Sequence, residues 1–90
     1  MVFNSKDNKY DHLILQEDFG EQIKHLRESK GLNITGLAIR SGLSEDYLTK
    51  TEKNLTNPSR FFMHHLANAF QMDFDELINH LYTDNSSKVN

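Results

Sequence analysis

Cysteine and tryptophan are absent from this chain of 90 residues, and proline occurs once. Without cysteine, neither a disulfide framework nor a thiolate zinc site is available. Apolar runs reach only three residues, and no cationic, apolar leader opens the chain. Secretion and membrane spanning are therefore not expected, and the reducing cytoplasm is the predicted location.

Positive charge is also scarce. The chain has 10 lysines and arginines against 13 aspartates and glutamates, which gives a formal net charge of −3. Because a general polyanion binder is usually basic, this balance argues against such a protein. The length allows one small domain, whose core contributes a net stability of only about 3–5 kcal/mol.

Polarity divides the chain into three parts. We expect an N-terminal arm at residues 1–16, a domain at residues 17–82 and a small, polar, disordered tail at residues 83–90. The arm ends in an apolar Leu-Ile-Leu segment. This segment docks either on the body of the domain or on a second subunit, and the sequence leaves both possibilities open.

Apolar residues recur at helical spacing in five segments, and no segment is typical of a strand. The first helix is predicted from about Asp18 to Lys30, and Gly31 provides its left-handed end. Asn33 is a good N-cap for the second helix. Gly42 ends that helix in a turn that we expect a β-carbon to crowd.

The other three helices have start signals of the same kind. Ser44 is the predicted cap of the third helix, and Ser59 precedes the fourth. The fifth begins at Asp73, with Glu76 completing a capping-box pattern. Short connections between short helices predict an all-α fold, a compact five-helix bundle.

The most informative stretch runs from Asn33 to Glu52 and reads N-I-T-G-L-A-I-R-S-G-L-S-E-D-Y-L-T-K-T-E. Ala38 precedes Gly42 by four residues, and Leu48 follows six later. This spacing predicts a helix-turn-helix, in which the second helix is able to enter a DNA major groove.

Five segments support this prediction by their order and spacing: F-G-E-Q-I-K-H-L-R-E-S-K-G-L, A-I-R-S-G-L-S, Y-L-T-K-T-E, N-P-S and L-A-N-A-F-Q-M-D-F-D-E-L-I. From Phe19 to Leu81 the chain resembles the lambda-repressor-like, Cro-type (XRE) helix-turn-helix family. The resemblance implies a sequence-specific DNA-binding transcriptional regulator, a repressor of phage or mobile-element type. Such a protein binds a double-stranded DNA operator as a homodimer, with the helix around residues 45–53 in the major groove.

The resemblance also implies roles for individual side chains. The positions that reach base edges in the family match Glu45, Asp46, Thr49 and Lys50. The expected phosphate contacts are Arg40, Lys53, Asn57 and Arg60. Arg27 and Glu52 match the family's ion pair between the first helix and the end of the recognition helix. A lysine is able to donate to guanine O6 and N7, and a carboxylate to accept from cytosine N4.

The sequence departs from the family in three places, one of which is the loop N-L-T-N after the third helix, where the usual Gly and Lys are absent. Ile34 stands where a glutamine often holds backbone phosphate, and Thr51 replaces a usually apolar core residue. The acidic pair Glu45 and Asp46 is also unusual on a DNA-facing helix. An alternative hypothesis is therefore a protein-binding modulator or antirepressor of the same fold, which binds another regulator protein rather than DNA. The residues expected at such an interface are Ile34, Leu55 and Phe61.

Patterns typical of catalysis and metal binding are missing from the sequence. The five histidines include no i, i+4 pair, and neither a nucleophile-elbow motif nor a Gly-rich phosphate loop occurs. Zinc without cysteine needs three or four converging histidines or carboxylates. We therefore expect neither enzymatic activity nor a metal or cofactor.

Overall fold

The computed structural model describes residues 13–84. Its elements are β1 (Leu13–Leu15), α1 (Phe19–Ser29), α2 (Ile34–Ser41), α3 (Glu45–Glu52), α4 (Arg60–Phe70), α5 (Phe74–Leu81) and β2 (Tyr82–Asp84). The five predicted helices are confirmed in order, with ends that lie within one or two residues of the predicted ones. No helix in this part of the chain is long and apolar enough to cross a membrane.

Side-chain caps start three of the five helices, as predicted. Asn33 accepts a hydrogen bond from the backbone N–H three residues later at 2.7 Å, Ser44 at 3.0 Å and Ser59 at 3.1 Å. Asp73 occupies the N-cap position of α5, but its side chain makes no cap hydrogen bond, so that prediction is wrong. The Asp73 carbonyl accepts the first intrahelical hydrogen bond of α5, from the Leu77 N–H at 3.0 Å, as the N-cap carbonyls of α2, α3 and α4 do in their helices.

Two glycines have distinct reasons for lacking a side chain. Gly42 has a φ of +74°, and an added β-carbon would meet nothing within 4 Å. The predicted crowding there is wrong, because the left-handed backbone alone favours glycine. Gly20 is different, since its β-carbon would lie 2.5 Å from the carbonyl oxygens of Thr51 and Glu52. Gly20 therefore lets α1 approach the end of α3 closely.

The core receives side chains from all five helices. Its buried apolar residues are Phe19, Ile23, Leu37, Leu48, Phe62, Met63, Leu66, Ala67, Ala69, Phe70, Leu77, Ile78 and Leu81. Burial of one large aliphatic or aromatic side chain contributes about 1.5–3 kcal/mol. Because Leu37 and Leu48 are both fully buried, the core holds α2 and α3 to the rest of the molecule.

The all-α, five-helix fold class is confirmed, but the expectation that no segment forms a strand is wrong. The two strands pair antiparallel, with Leu13 opposite Asp84 and Leu15 opposite Tyr82. Gln16 extends the contact, because its backbone N–H donates to the Leu81 carbonyl at 2.9 Å. The pairing is invisible to local periodicity, since each strand has three residues and its partner lies at the other end of the domain.

The sheet also decides where the apolar end of the arm lies. Residues 13–15 dock on the body of the domain, and residues 83–84, expected in the tail, belong to β2. The remainder of the predicted arm and tail, residues 1–12 and 85–90, lies outside the described residues.

Candidate nucleic-acid interface

The helix-turn-helix consists of α2, the turn at Gly42 and α3. Within the turn, Ser41 Oγ accepts from the Leu43 N–H at 3.2 Å. Leu48 is fully buried, and Tyr47 packs edge-on against Phe62, with ring centroids 4.9 Å apart. Since one side of α3 is held in the core by these contacts, the opposite side faces outward.

A bidentate ion pair fixes the end of α3 to α1. Arg27 Nε donates to Glu52 Oε2 at 2.7 Å, and Arg27 Nη2 donates to Glu52 Oε1 at 3.0 Å. Arg27 Nη1 also donates to the Leu32 carbonyl at 3.0 Å. The hydrogen bonds to Glu52 raise the pKa of Arg27, although burial acts in the opposite direction. The ion pair that the family resemblance implies is therefore present.

Thr51 is fully buried without an apolar side chain, at the position where the sequence departs from the family. Its hydroxyl donates to the Tyr47 carbonyl at 2.7 Å and lies 2.8 Å from the hydroxyl of Thr56. Because the Thr51 hydrogen is already used, Thr56 donates in the second contact. The hydroxyl pair connects α3 to the loop that follows it.

Asn54 is a structural residue that the sequence did not indicate. Its Oδ1 accepts from the Gly20 N–H at 2.7 Å, in the first turn of α1. That N–H is one of the donors at the start of a helix that have no partner within the helix. Asn54 has a φ of +63°, a backbone conformation that asparagine tolerates better than most residues. The available signal was an asparagine directly after a helix end.

The outward face of α3 carries the four predicted base-reading residues. Glu45, Asp46 and Lys50 are exposed, and Thr49 is half-buried. Lys50 Nζ lies 3.0 Å from Asp46 Oδ2. The sequence interpretation treated these two charges separately, although an acid four residues before a lysine is a standard helical ion pair. The cation and carboxylate thus form a unit, next to the second carboxylate of Glu45.

The four residues predicted to contact phosphates are all exposed. Arg40, Lys53 and Asn57 are exposed on α2, at the end of α3 and in the following loop. Arg60 begins α4 and lines a cavity of about 250 Å³ together with Leu13, Met63, Phe74, Ile78 and Tyr82. Burial raises the pKa of Tyr82, and the positive charge of Arg60 acts in the opposite direction. The charge of Arg60 is therefore close enough to influence Tyr82, the first residue of β2.

The apolar interface candidates are placed less uniformly. Leu55 and Phe61 are 69% and 68% exposed, whereas Ile34 is half-buried and packs against the core. Ile34 therefore presents little free apolar surface. Ile39, which the sequence interpretation missed, is 77% exposed. Its position two residues after the buried Leu37, on the opposite side of α2, was the available signal.

The histidines of α4 contact neighbouring rings and backbone. The His64 ring stacks on Phe74 at a centroid distance of 3.8 Å, and the His65 ring lies tilted against Phe61 at 4.3 Å. His65 Nδ1 lies 3.2 Å from the Ser41 carbonyl, at the end of α2. Among residues 13–84, no group of three or more histidines or carboxylates is arranged to hold a metal ion.

The similarity to known proteins covers the five-helix region of the chain. A family described as "Helix-turn-helix domain" matches residues 18–81. The HTH-type transcriptional regulator SinR from Bacillus licheniformis is 34% identical over 61 residues, which make up 67% of this chain and 55% of that protein. The chain therefore spans about half the length of this curated relative.

Two solved structures are similar in fold as well as in sequence. The restriction-modification controller protein C.AhdI from Aeromonas hydrophila has a TM-score of 0.64 and 34% identity, over 68% of this chain and 92% of that one. SinR in complex with DNA has a TM-score of 0.61 and 33% identity, over 67% of this chain and 97% of that one. With the sequence match and the fold in agreement, this chain belongs to the helix-turn-helix domain family, of the lambda-repressor-like, Cro-type (XRE) kind.

Proposed function

We propose that this protein is a sequence-specific DNA-binding transcriptional regulator, a repressor of phage or mobile-element type. The observation that supports it most is the outward polar face of α3, held at a fixed position by Leu48 in the core and by the Arg27–Glu52 ion pair. SinR, solved in complex with DNA, has a similar fold. The proposal includes action in the cytoplasm and requires neither a cofactor nor a catalytic step.

In this proposal, residues of α3 read bases and cations around it contact phosphates. The base-reading residues are Glu45, Asp46, Thr49 and Lys50. The phosphate contacts are Arg40, Lys53, Asn57 and Arg60. Release of counterions from DNA supplies most of the affinity that is independent of sequence. Because Asp46 already pairs with Lys50, and Glu45 adds a second negative charge, we expect weak binding to DNA of random sequence.

Weak contacts from one subunit make a homodimer the expected binding form. Two-fold symmetry would place the half-sites about one helical turn (~34 Å) apart on the operator. Leu55 and Phe61 are apolar side chains available for the contact between subunits, since both are about two-thirds exposed. Aromatic side chains are enriched at protein interfaces.

A protein-binding modulator or antirepressor of the same fold is the second candidate. The observation in its favour is the combination of an acidic outward face on α3 with exposed apolar side chains at Ile39, Leu55 and Phe61. An acidic helix is able to present charge to a basic surface of another regulator in the way that DNA does. In that case the same face of α3 would bind protein.

Selection of bound sequences from random duplex DNA at moderate salt tests the first proposal against the second. The purified protein is expected to enrich a two-fold symmetric site, whose half-site spacing gives the dimer geometry. A Lys50→Ala, Thr49→Ala double variant is expected to lose this site, and Lys24→Ala on the exposed side of α1 serves as the control. If the folded wild-type protein enriches no site, the proposal is wrong and the modulator becomes the leading candidate.

A further inference from the structure

We propose that Asp46 and Lys50 act together to read a single G·C base pair. Asp46 accepts from the cytosine N4 amino group, and Lys50 donates to guanine O6 and N7. This inference rests on the proposed function and adds to it the class of DNA site that α3 selects. The two residues thereby become specificity-determining residues, with their mutual contact as part of the reading.

The two side chains lie next to each other in the free protein. Lys50 Nζ lies 3.0 Å from Asp46 Oδ2, and both residues are on the outward face of α3. The helix beneath them is fixed at its start by the Ser44 cap and in its middle by the fully buried Leu48. The backbone positions of both charges are therefore set before any DNA is bound.

Their hydrogen-bonding capacity matches one base pair without an unused strong donor. A lysine ammonium has three N–H donors, and a carboxylate has two acceptor oxygens. One ammonium hydrogen stays with Asp46 Oδ2, which leaves two hydrogens for guanine O6 and N7. The second oxygen, Asp46 Oδ1, then accepts from cytosine N4. The pair needs no separation on binding, since both partners keep their mutual contact.

The pattern of groups in the major groove explains why G·C suits this pair better than A·T. Across a G·C pair the groove presents two acceptors, guanine N7 and O6, followed by one donor, cytosine N4. Across an A·T pair the adenine N6 donor lies between two acceptors, adenine N7 and thymine O4. A carboxylate placed on that central donor is repelled by acceptors on both sides. The terminal donor of G·C has an acceptor on one side only, and the ammonium of Lys50 covers it.

Solvent exposure determines how the pair acts on specificity. In the free protein the side chains of Lys50 and Asp46 are 55% and 77% exposed, so water screens their attraction. Binding in the groove displaces part of this water, and a charge that faces the wrong group then lacks its hydrogen-bond partner. The acidic member thus reduces affinity for wrong bases more than it increases affinity for the right one.

The test compares the base preferences of the wild type with Asp46→Asn, Lys50→Ala and the double variant, by selection from random duplex DNA. Both single variants are expected to lower the G·C preference at the same operator position by about tenfold or more. The double variant is expected to lose no more than the larger single effect, because the residues act as one unit. Glu76→Gln on α5 and Lys24→Ala on α1 remove the same charges elsewhere and should leave the preference unchanged.

The possible failures are distinguishable. If the wild type enriches a site but the two single variants alter different positions, the joint reading is wrong and the proposed function stands. An A·T preference at a shared position, or additive losses in the double variant, would also show that the joint reading is wrong while the proposed function stands. If the wild type enriches no site, the inference and the proposed function are both overturned. Since both side chains are exposed, the variants are expected to fold, and their thermal unfolding checks this.

Discussion

At the scale of single residues, the Arg27–Glu52 ion pair joins α1 to the end of α3. Arg27 makes three hydrogen bonds, to two oxygens of Glu52 and to the Leu32 carbonyl, with little exposure to solvent. Removing one partner of such a pair leaves a charge that is mostly shielded from water. The pair therefore contributes to the placement of the recognition helix as well as to the stability of the fold.

Glu52→Gln is expected to reduce the free energy of unfolding by about 3 kcal/mol, because the Arg27 guanidinium then lacks a charged partner in a site with little water. Urea unfolding measures this change. Lys24→Ala, which removes an exposed charge from α1, is the control and should stay within about 0.5 kcal/mol of the wild type. A loss below about 1 kcal/mol for Glu52→Gln would mean that Arg27 is adequately hydrated.

The phenol of Tyr82 makes the stability of the fold depend on pH in the alkaline range. Burial raises the pKa of its phenol above the ordinary value of 10.0, so the folded state favours the neutral form. The resulting stabilisation is complete below pH 10.0 and is lost as the pH rises through the raised pKa. The free energy of unfolding should therefore fall less steeply above this pH in Tyr82→Phe than in the wild type. Chemical denaturation at a series of pH values measures this dependence. If the free energy of unfolding falls equally steeply with pH in both proteins, the raised pKa of Tyr82 is contradicted.

At the scale of elements, the distance between α1 and α3 is set by backbone contact. Gly20 lies against the carbonyls of Thr51 and Glu52, and Asn54 Oδ1 accepts from the Gly20 N–H at 2.7 Å. These contacts join the first turn of α1 to the end of the recognition helix. A change at Gly20 is therefore transmitted to the orientation of the face that we propose reads DNA.

Gly20→Ala is expected to destabilise the fold by about 1–3 kcal/mol, although alanine is the better helix former, because α1 and α3 must separate. DNA affinity should fall further than the loss of folded protein explains. Thermal unfolding and binding to the selected operator measure the two effects. Glu21→Ala, at the neighbouring exposed position of α1, is the matched control. Unchanged stability would show that the helices separate without cost.

At the scale of the whole molecule, the strand pair joins the two ends of the domain. Gln16 reinforces it, with its side-chain amide 3.2 Å from the Tyr82 carbonyl and its backbone N–H 2.9 Å from the Leu81 carbonyl. These donors satisfy carbonyls at the end of α5. Leu13 and Leu15 pack against the core cluster, whereas Ile14, on the other face of β1, is 41% exposed.

Leu15→Ala is expected to lower the free energy of unfolding by about 1–2 kcal/mol, less than at a fully buried leucine because Leu15 is half-buried. Ile14→Ala is the matched control and should cost clearly less, since its side chain points away from the core. Urea unfolding of both variants gives the comparison. Equal losses would mean that the packing of Leu15 against the core adds no more stability than the exposed side chain of Ile14.

Prediction from sequence succeeded where the cause is local. The caps at Asn33, Ser44 and Ser59 depend on residues three positions away, and all three form. The Asp46–Lys50 pair was equally available, because its partners are one helical turn apart. The capping box at Asp73 failed despite its local pattern, since a suitable residue at the N-cap position permits a side-chain cap but does not require one.

By itself, the sequence determined five helices, their order and the helix-turn-helix, because helical periodicity, caps and turn residues act over a few neighbouring positions. Only the tertiary structure decided the contacts between distant positions: the pairing of β1 with β2, the approach of Gly20 to Glu52 and the link from Asn54 to α1. It also decided that Ile34 is half-buried. These outcomes depend on which faces meet when the helices pack. Because the contacts join residues that are far apart in the sequence, the pattern of neighbouring residues does not determine them.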